Sequence, residues 1–205
     1  SDAKAGLQAV VQLAPRNLQA WEMLVRAARA TGDSRLDTLG LQVIQSLAPH
    51  HPLVVLQSAF QFYRQGRLAE AEQLLRAGLD QRQDPQLLDG LAHVLMDRRG
   101  DVREIRGLVD AALQLQPDNL AFCCTRAELN LLTGRLDEAG AELQAILAVE
   151  AENVPALLLQ ARWHAARNDM PAAYAIAHRL AQHRTELSGE QLDQLKRLLV
   201  YLKKL

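Results

Sequence analysis

Residues 120–153 read LAFCCTRAELNLLTGRLDEAGAELQAILAVEAEN. Apolar residues recur at helical spacing on both sides of the Thr133-Gly134 break, and a short polar connector closes the stretch. The same punctuation runs through the chain. Gly32, Gly66, Gly100 and Gly134 stand 34 residues apart, and Asn168 holds the fifth place. Pro15, Pro49 and Pro117 share that interval, with Gln83 and Ala151 in the two vacant slots. Gly and Asn favour the left-handed turn at a helix end, and Pro stops a helix. Two breakers repeating in fixed phase describe one helix–turn–helix unit used about five times.

The units are 18–51, 52–85, 86–119, 120–153 and 154–187. A half-repeat over 2–15 precedes them, and a segment over 188–205 follows. Each unit has two helices of about 13 residues, or roughly 20 Å. One such hairpin cannot bury its apolar stripe alone, whereas stacked neighbours can. The expected fold is all-α: a solenoid of antiparallel helix hairpins. DAKAGLQAVVQLAP reads as the second half of a unit whose first helix lies upstream, so the expectation is a piece of a longer protein. In the last segment Ser188 and Gln191 form a capping-box pair. Leu192, Leu195, Leu199 and Leu202 follow as a helical stripe, with Lys196, Arg197, Lys203 and Lys204 on the wet face. This is the signature of a capping helix, which solenoid ends require.

Composition narrows the function. Net charge is −1 and aromatics are 4%, so the chain as a whole does not attract polyanions. The cysteines are the adjacent pair Cys123 and Cys124, which cannot form an unstrained disulfide on a helix. No apolar run reaches the length of a membrane span, so no membrane insertion by this segment is expected. No GxSxG, P-loop, GxGxxG or HExxH pattern occurs. His50 and His51 adjoin in a connector without further metal ligands, and His93 and His164 read as structural residues on packing positions. The expectation is a non-enzyme with no cofactor and no metal.

The 34-residue period, with Trp21, Leu24, Gly32 and Pro49 in the first unit, resembles the tetratricopeptide repeat (TPR). Ala59, Gly66 and Ala71 in the second unit, Ala127, Gly134 and Ala139 in the fourth, and Ala161, Ala173 and Leu180 in the fifth extend the resemblance over almost the whole chain. Departures are Asp37 and Ile105 at a small-residue position, and Arg126 and Gln160 where Leu is usual. Leu91-Ala92 stands one residue early for Gly100, which marks a longer first helix or a local shift in the third unit.

The resemblance implies a right-handed superhelical solenoid with a concave groove lined by the first helices. Carried over by position, the groove residues are Glu22, Arg26, Arg29, Leu56, Phe60, Tyr63, Arg64, Val94, Asp97, Arg98, Glu128, Leu131 and Arg162. Aromatic and Arg side chains beside leucines suit a peptide-binding hot spot. Phe60 and Tyr63 equally suit packing against the next hairpin. The Lys/Asn clamp of chaperone-tail-binding arrays is absent from these positions.

The implied function is a protein–protein interaction scaffold that takes a peptide or helix of a partner in the groove. In style the chain resembles TPR proteins of bacterial envelope, secretion or polysaccharide-assembly systems. The alternative is the TPR arm of a larger enzyme, such as a glycosyltransferase, sulfotransferase or hydroxylase. The mixed charge of the groove argues against nucleic acid. Solenoid ends pair readily, so a homo-oligomer stands beside the monomer as an expected state.

Overall fold

Most helices of this chain begin where a side chain can take the first free backbone N–H groups, whereas α5 and α9 start at Arg67 and Arg135 without a side-chain cap. Asn17, Asn119 and Asn153 accept from the backbone two or three residues ahead, and so do Asp33, Asp101 and Asp169. A computed structural model describes residues 2–185 and 187–203. Twelve helices and no strand occur among them. They are α1 (Asp2–Leu13), α2 (Leu18–Ala30), α3 (Ser34–Leu47), α4 (Pro52–Arg64), α5 (Leu68–Gln81) and α6 (Pro85–Asp97). The rest are α7 (Val102–Leu115), α8 (Leu120–Leu132), α9 (Leu136–Val149), α10 (Val154–Ala166), α11 (Met170–Gln182) and α12 (Gly189–Leu202). No helix of the described residues is long and apolar enough to cross a membrane.

The hairpin turns close with one repeated bond, from the residue after the turn back to the carbonyl five residues earlier. It runs from Asp33 to Ala28 (2.9 Å), Arg67 to Phe62 (2.9 Å), Arg135 to Asn130 (2.8 Å) and Asp169 to His164 (2.9 Å). The residue before each donor is left-handed: Gly32 (φ 68), Gly66 (φ 74), Gly134 (φ 73) and Asn168 (φ 63). The closure satisfies orphan carbonyls at the helix end.

The third unit departs from the expectation. Arg99, not Gly100, is left-handed (φ 56), and Gly100 supplies the closing N–H to the Leu95 carbonyl (2.8 Å). The connector before α6 has three residues, 82–84, where the others have four, and the turn after α6 has four, 98–101, where the others have three. One residue has moved from one side of α6 to the other. The 34-residue period survives, but α6 is shifted by one place. Counted from Pro85, Leu91-Ala92 falls where the Leu-small pair belongs.

The chain divides into two compact units, residues 1–94 and 95–205. In the first, Val11, Trp21, Leu24, Val25, Ile44, Leu53 and Val54 form a buried cluster. Trp21 Nε1 donates to the Pro15 carbonyl at 2.9 Å, which ties α2 to the connector that follows α1. In the second, Leu143, Ile146, Ala127, Ala156 and Leu159 join α8, α9 and α10. Leu195, Leu198 and Leu202 of α12 close a further cluster over Ala161, Ala173, Ala177 and Leu180.

The capping box at Ser188 is formed in both directions. Leu198 is buried more deeply than the expected Leu199, and Leu192 is half-buried. Lys196, Arg197 and Lys203 are exposed, while Lys204 lies outside the described residues.

Candidate functional site

The first helices of the hairpins are α2, α4, α6, α8 and α10, and in the C-terminal unit α8 and α10 bring repeat-equivalent residues into contact. Arg162 donates to Glu128, the residue 34 places earlier, so the ninth positions of α8 and α10 meet. The fifth position reaches the start of the next first helix. Glu22 Oε1 lies 2.8 Å from His51 Nε2, and Cys124 Sγ lies 3.8 Å from Asn153 Oδ1. Each pair is 29 residues apart, and in each the partner is the N-cap of the next first helix.

In the first unit this face carries Arg26, Arg29, Phe60, Tyr63 and Arg64. Phe60 and Tyr63 stack at 6.5 Å with their planes 13° apart, and the Arg64 guanidinium lies 5.9 Å from the Phe60 centroid. The i, i+3 spacing on one helix produces the stack, and the face of a ring attracts a cation. Phe60 stays 37% exposed, enough surface to receive an apolar group.

Charges on the face are sorted. Arg29 Nε donates to Asp37 of α3 at 2.9 Å, which explains an acid at a position that is usually small. Glu22 is taken by His51. Arg26 and Arg64 have no carboxylate partner among the described residues. α4 contains no acidic residue at all.

The shift of α6 relocates two expected groove residues. Val94 is buried, because it now occupies the tenth place. Arg98 lies beyond the end of α6, in the turn. The ninth place belongs to His93, whose side chain is 44% exposed and pairs with Asp89 at 3.7 Å. His93 is therefore a face residue rather than a packing residue. The signal was in the sequence, since the early Leu91-Ala92 pair fixes the register of α6. Leu56 is half-buried against the backbone of Gly90.

In the second unit Asp97 is exposed, Leu131 is half-buried, and Glu128 and Arg162 satisfy each other. Over α8, between α7 and α9, an open cleft of about 800 Å³ has apolar walls that include Leu120, Ile146 and Val149. Its three arginines are each held by a side-chain hydrogen bond. Arg126 Nε donates to Glu142 at 2.6 Å, Arg135 Nε to Glu138 at 3.0 Å, and Arg106 to Asn130 at 3.2 Å. Burial, then the Glu142 carboxylate, pushes the Cys123 thiol up, which disfavours the reactive thiolate. His51 is spent on the cap of α4, accepting from Leu53 N at Nδ1 (3.3 Å), and His164 bonds Asp169 at 2.9 Å.

The chain matches no protein-family model and no curated protein. It is similar in structure to a tetratricopeptide repeat protein from Parabacteroides merdae, at 17% identity and TM-score 0.53, over 89% of this chain and 73% of that one. It is similar to PilW, a widely conserved type IV pilus biogenesis factor, at 18% identity and TM-score 0.55, over 93% and 88%. It is similar to YrrB, a TPR protein with an unusual peptide-binding site, at 11% identity and TM-score 0.51, over 97% and 98%. The fold is that of the tetratricopeptide repeat.

Proposed function

We propose that this chain is a non-catalytic scaffold that binds a peptide or helix of a partner protein on the first-helix face of its N-terminal unit. One observation carries the reading: Phe60 is an exposed ring, braced by Tyr63 and Arg64, on a face where Arg26 and Arg64 lack carboxylate partners among the described residues. An aromatic anchor beside free guanidinium donors is the composition of an interface hot spot. Leu56 lies one turn before Phe60 on α4, Arg29 and Glu22 stand on α2, and His93 replaces Val94 in the series. Asp97, Glu128, Leu131 and Arg162 continue the same helix positions in the C-terminal unit.

The likeness to a TPR protein with a peptide-binding site supports the class of ligand at the level of fold. The likeness to a pilus biogenesis factor is in keeping with an envelope or secretion system of bacteria.

The test is selection from a random-peptide display library by the full chain. Selected peptides are then measured against Phe60→Ala/Arg64→Ala. The proposal expects affinity to fall at least about tenfold with an unchanged circular dichroism spectrum, as loss of a hot-spot pair does. Equal affinity for both proteins would remove the face from consideration.

A further inference from the structure

We infer that the segment taken up by the first-helix face of the N-terminal unit is anionic, with an apolar residue between two carboxylates. This deepens the function proposed above and rests on it. The inference comes from the contrast between the two units in how they treat charge. In the C-terminal unit the cation on the α8–α10 face is answered from within, since Arg162 is bound by Glu128. Arg126 at the usual Leu position is bound by Glu142. The remaining surface there is aliphatic, with Leu132 55% exposed.

The N-terminal unit leaves the sum unbalanced. α2 and α4 together carry Arg26, Arg29 and Arg64 against one acid, Glu22. Glu22 is committed to His51, and Arg29 to Asp37. What stays open is Arg26 on α2 and Arg64 on α4. Arg26 and Phe60 are the equivalent ninth positions of α2 and α4, and the two helices share the buried cluster of Leu24, Val25, Leu53 and Val54. Arg64, a turn further along α4, lies over the Phe60 ring, and Arg26 holds the matching place on α2.

Guanidinium groups offer paired N–H donors that match a carboxylate. Packed helices lie about 8–10 Å apart, and extended chain advances about 3.3 Å per residue. Two carboxylates about three to four residues apart would meet both arginines, with an intervening side chain on Phe60. Two open cations beside an apolar ring fit a short acidic peptide better than a nucleic acid strand. A strand needs a run of phosphate contacts, and the net charge of −1 gives no general attraction to it.

The experiment is fluorescence anisotropy with the full chain and three labelled peptides of one length. Each has a central phenylalanine. The two flanking positions, three to four residues apart, are glutamate, glutamine or lysine. A labelled single-stranded RNA of mixed sequence is the fourth probe. The glutamate peptide is expected to bind at least about tenfold more tightly than the glutamine peptide, the effect of charge-assisted bonds. The lysine peptide should bind least.

In Arg26→Gln/Arg64→Gln the glutamate advantage should disappear, and in Phe60→Ala all peptides should weaken together. If glutamine or lysine peptides bind as well as glutamate while Phe60→Ala still weakens them, the anionic class is overturned and the face survives. If Phe60→Ala changes nothing, the face falls and the inference with it. No binding of the glutamate peptide, or tighter binding of the RNA that is lost in the double arginine variant, also overturns it.

Discussion

Gly40 shows how the size of one residue in this fold is set by another. The eighth place of a unit is usually small, so that the two helices of a hairpin can approach; it is Ala59, Ala127 and Ala161 in three units but Val25 in the first. α3 compensates. A Cβ at Gly40 would stand 2.4 Å from Val25 Cγ2, and Val25 is fully buried and stiff at χ1. Gly140 serves Trp163 in the same way, with a Cβ at 2.7 Å from the ring, while Trp163 Nε1 donates to the Leu136 carbonyl at 2.7 Å. Gly40→Ala is therefore expected to destabilise the protein by about 1–2 kcal/mol in urea unfolding, because overpacking outweighs the gain in helix propensity. A stabilised variant would mean that α2 and α3 separate freely.

At Cys123 the argument is electrostatic. Its thiol is pushed up by burial and by Glu142, so the thiolate is scarce at neutral pH. Alkylation by iodoacetamide, followed by mass spectrometry across a pH series, should rise only above the range of an ordinary cysteine. Rapid labelling at neutral pH would contradict this.

Among elements, α6 teaches most. Its neighbours follow the 34-residue period without adjustment, and their boundaries were legible from glycines, prolines and Asn caps. α6 was legible only through the early Leu91-Ala92 pair, because period alone cannot separate a shift from a match when a missing connector residue is repaid in the next turn. Burial of Val94 and the Asp84 cap reveal the register. Asp84 Oδ1 accepts from Gln86 at 2.9 Å and Leu87 at 3.2 Å. The cost of the shift is an arginine in the left-handed region, about 1–2 kcal/mol for a residue with a Cβ. Arg99→Gly should stabilise the chain by about 0.5–1 kcal/mol once the greater unfolded-state freedom of glycine is deducted. A loss of melting temperature would show that the arginine side chain contributes more than its backbone costs. The terminal helix was the most legible element, because the capping box at Ser188 and the leucine stripe name its start and its buried face together.

At the scale of the molecule, the sequence disclosed the repeat and hence the fold, since the TPR hairpin is a consequence of where chain breakers fall. It placed the first helices by position, and α2, α4, α8 and α10 start at Leu18, Pro52, Leu120 and Val154. It did not disclose which of those charges are already spent. Glu22 with His51, Arg29 with Asp37 and Glu128 with Arg162 are contacts across 29, 8 and 34 residues, and they follow from helix packing rather than from any local pattern. Subtracting them turns a mixed-charge surface into two different ones: a satisfied aliphatic face in the C-terminal unit and an open cationic, aromatic face in the N-terminal unit.

That difference is the central claim, and chemical-shift mapping by NMR tests it most directly. On titrating the glutamate peptide into the labelled full chain, the account predicts that shifts concentrate at Arg26, Phe60, Tyr63 and Arg64, with α8 and α10 unmoved. Shifts concentrated on α7 and α9, around the cleft over α8, would contradict it.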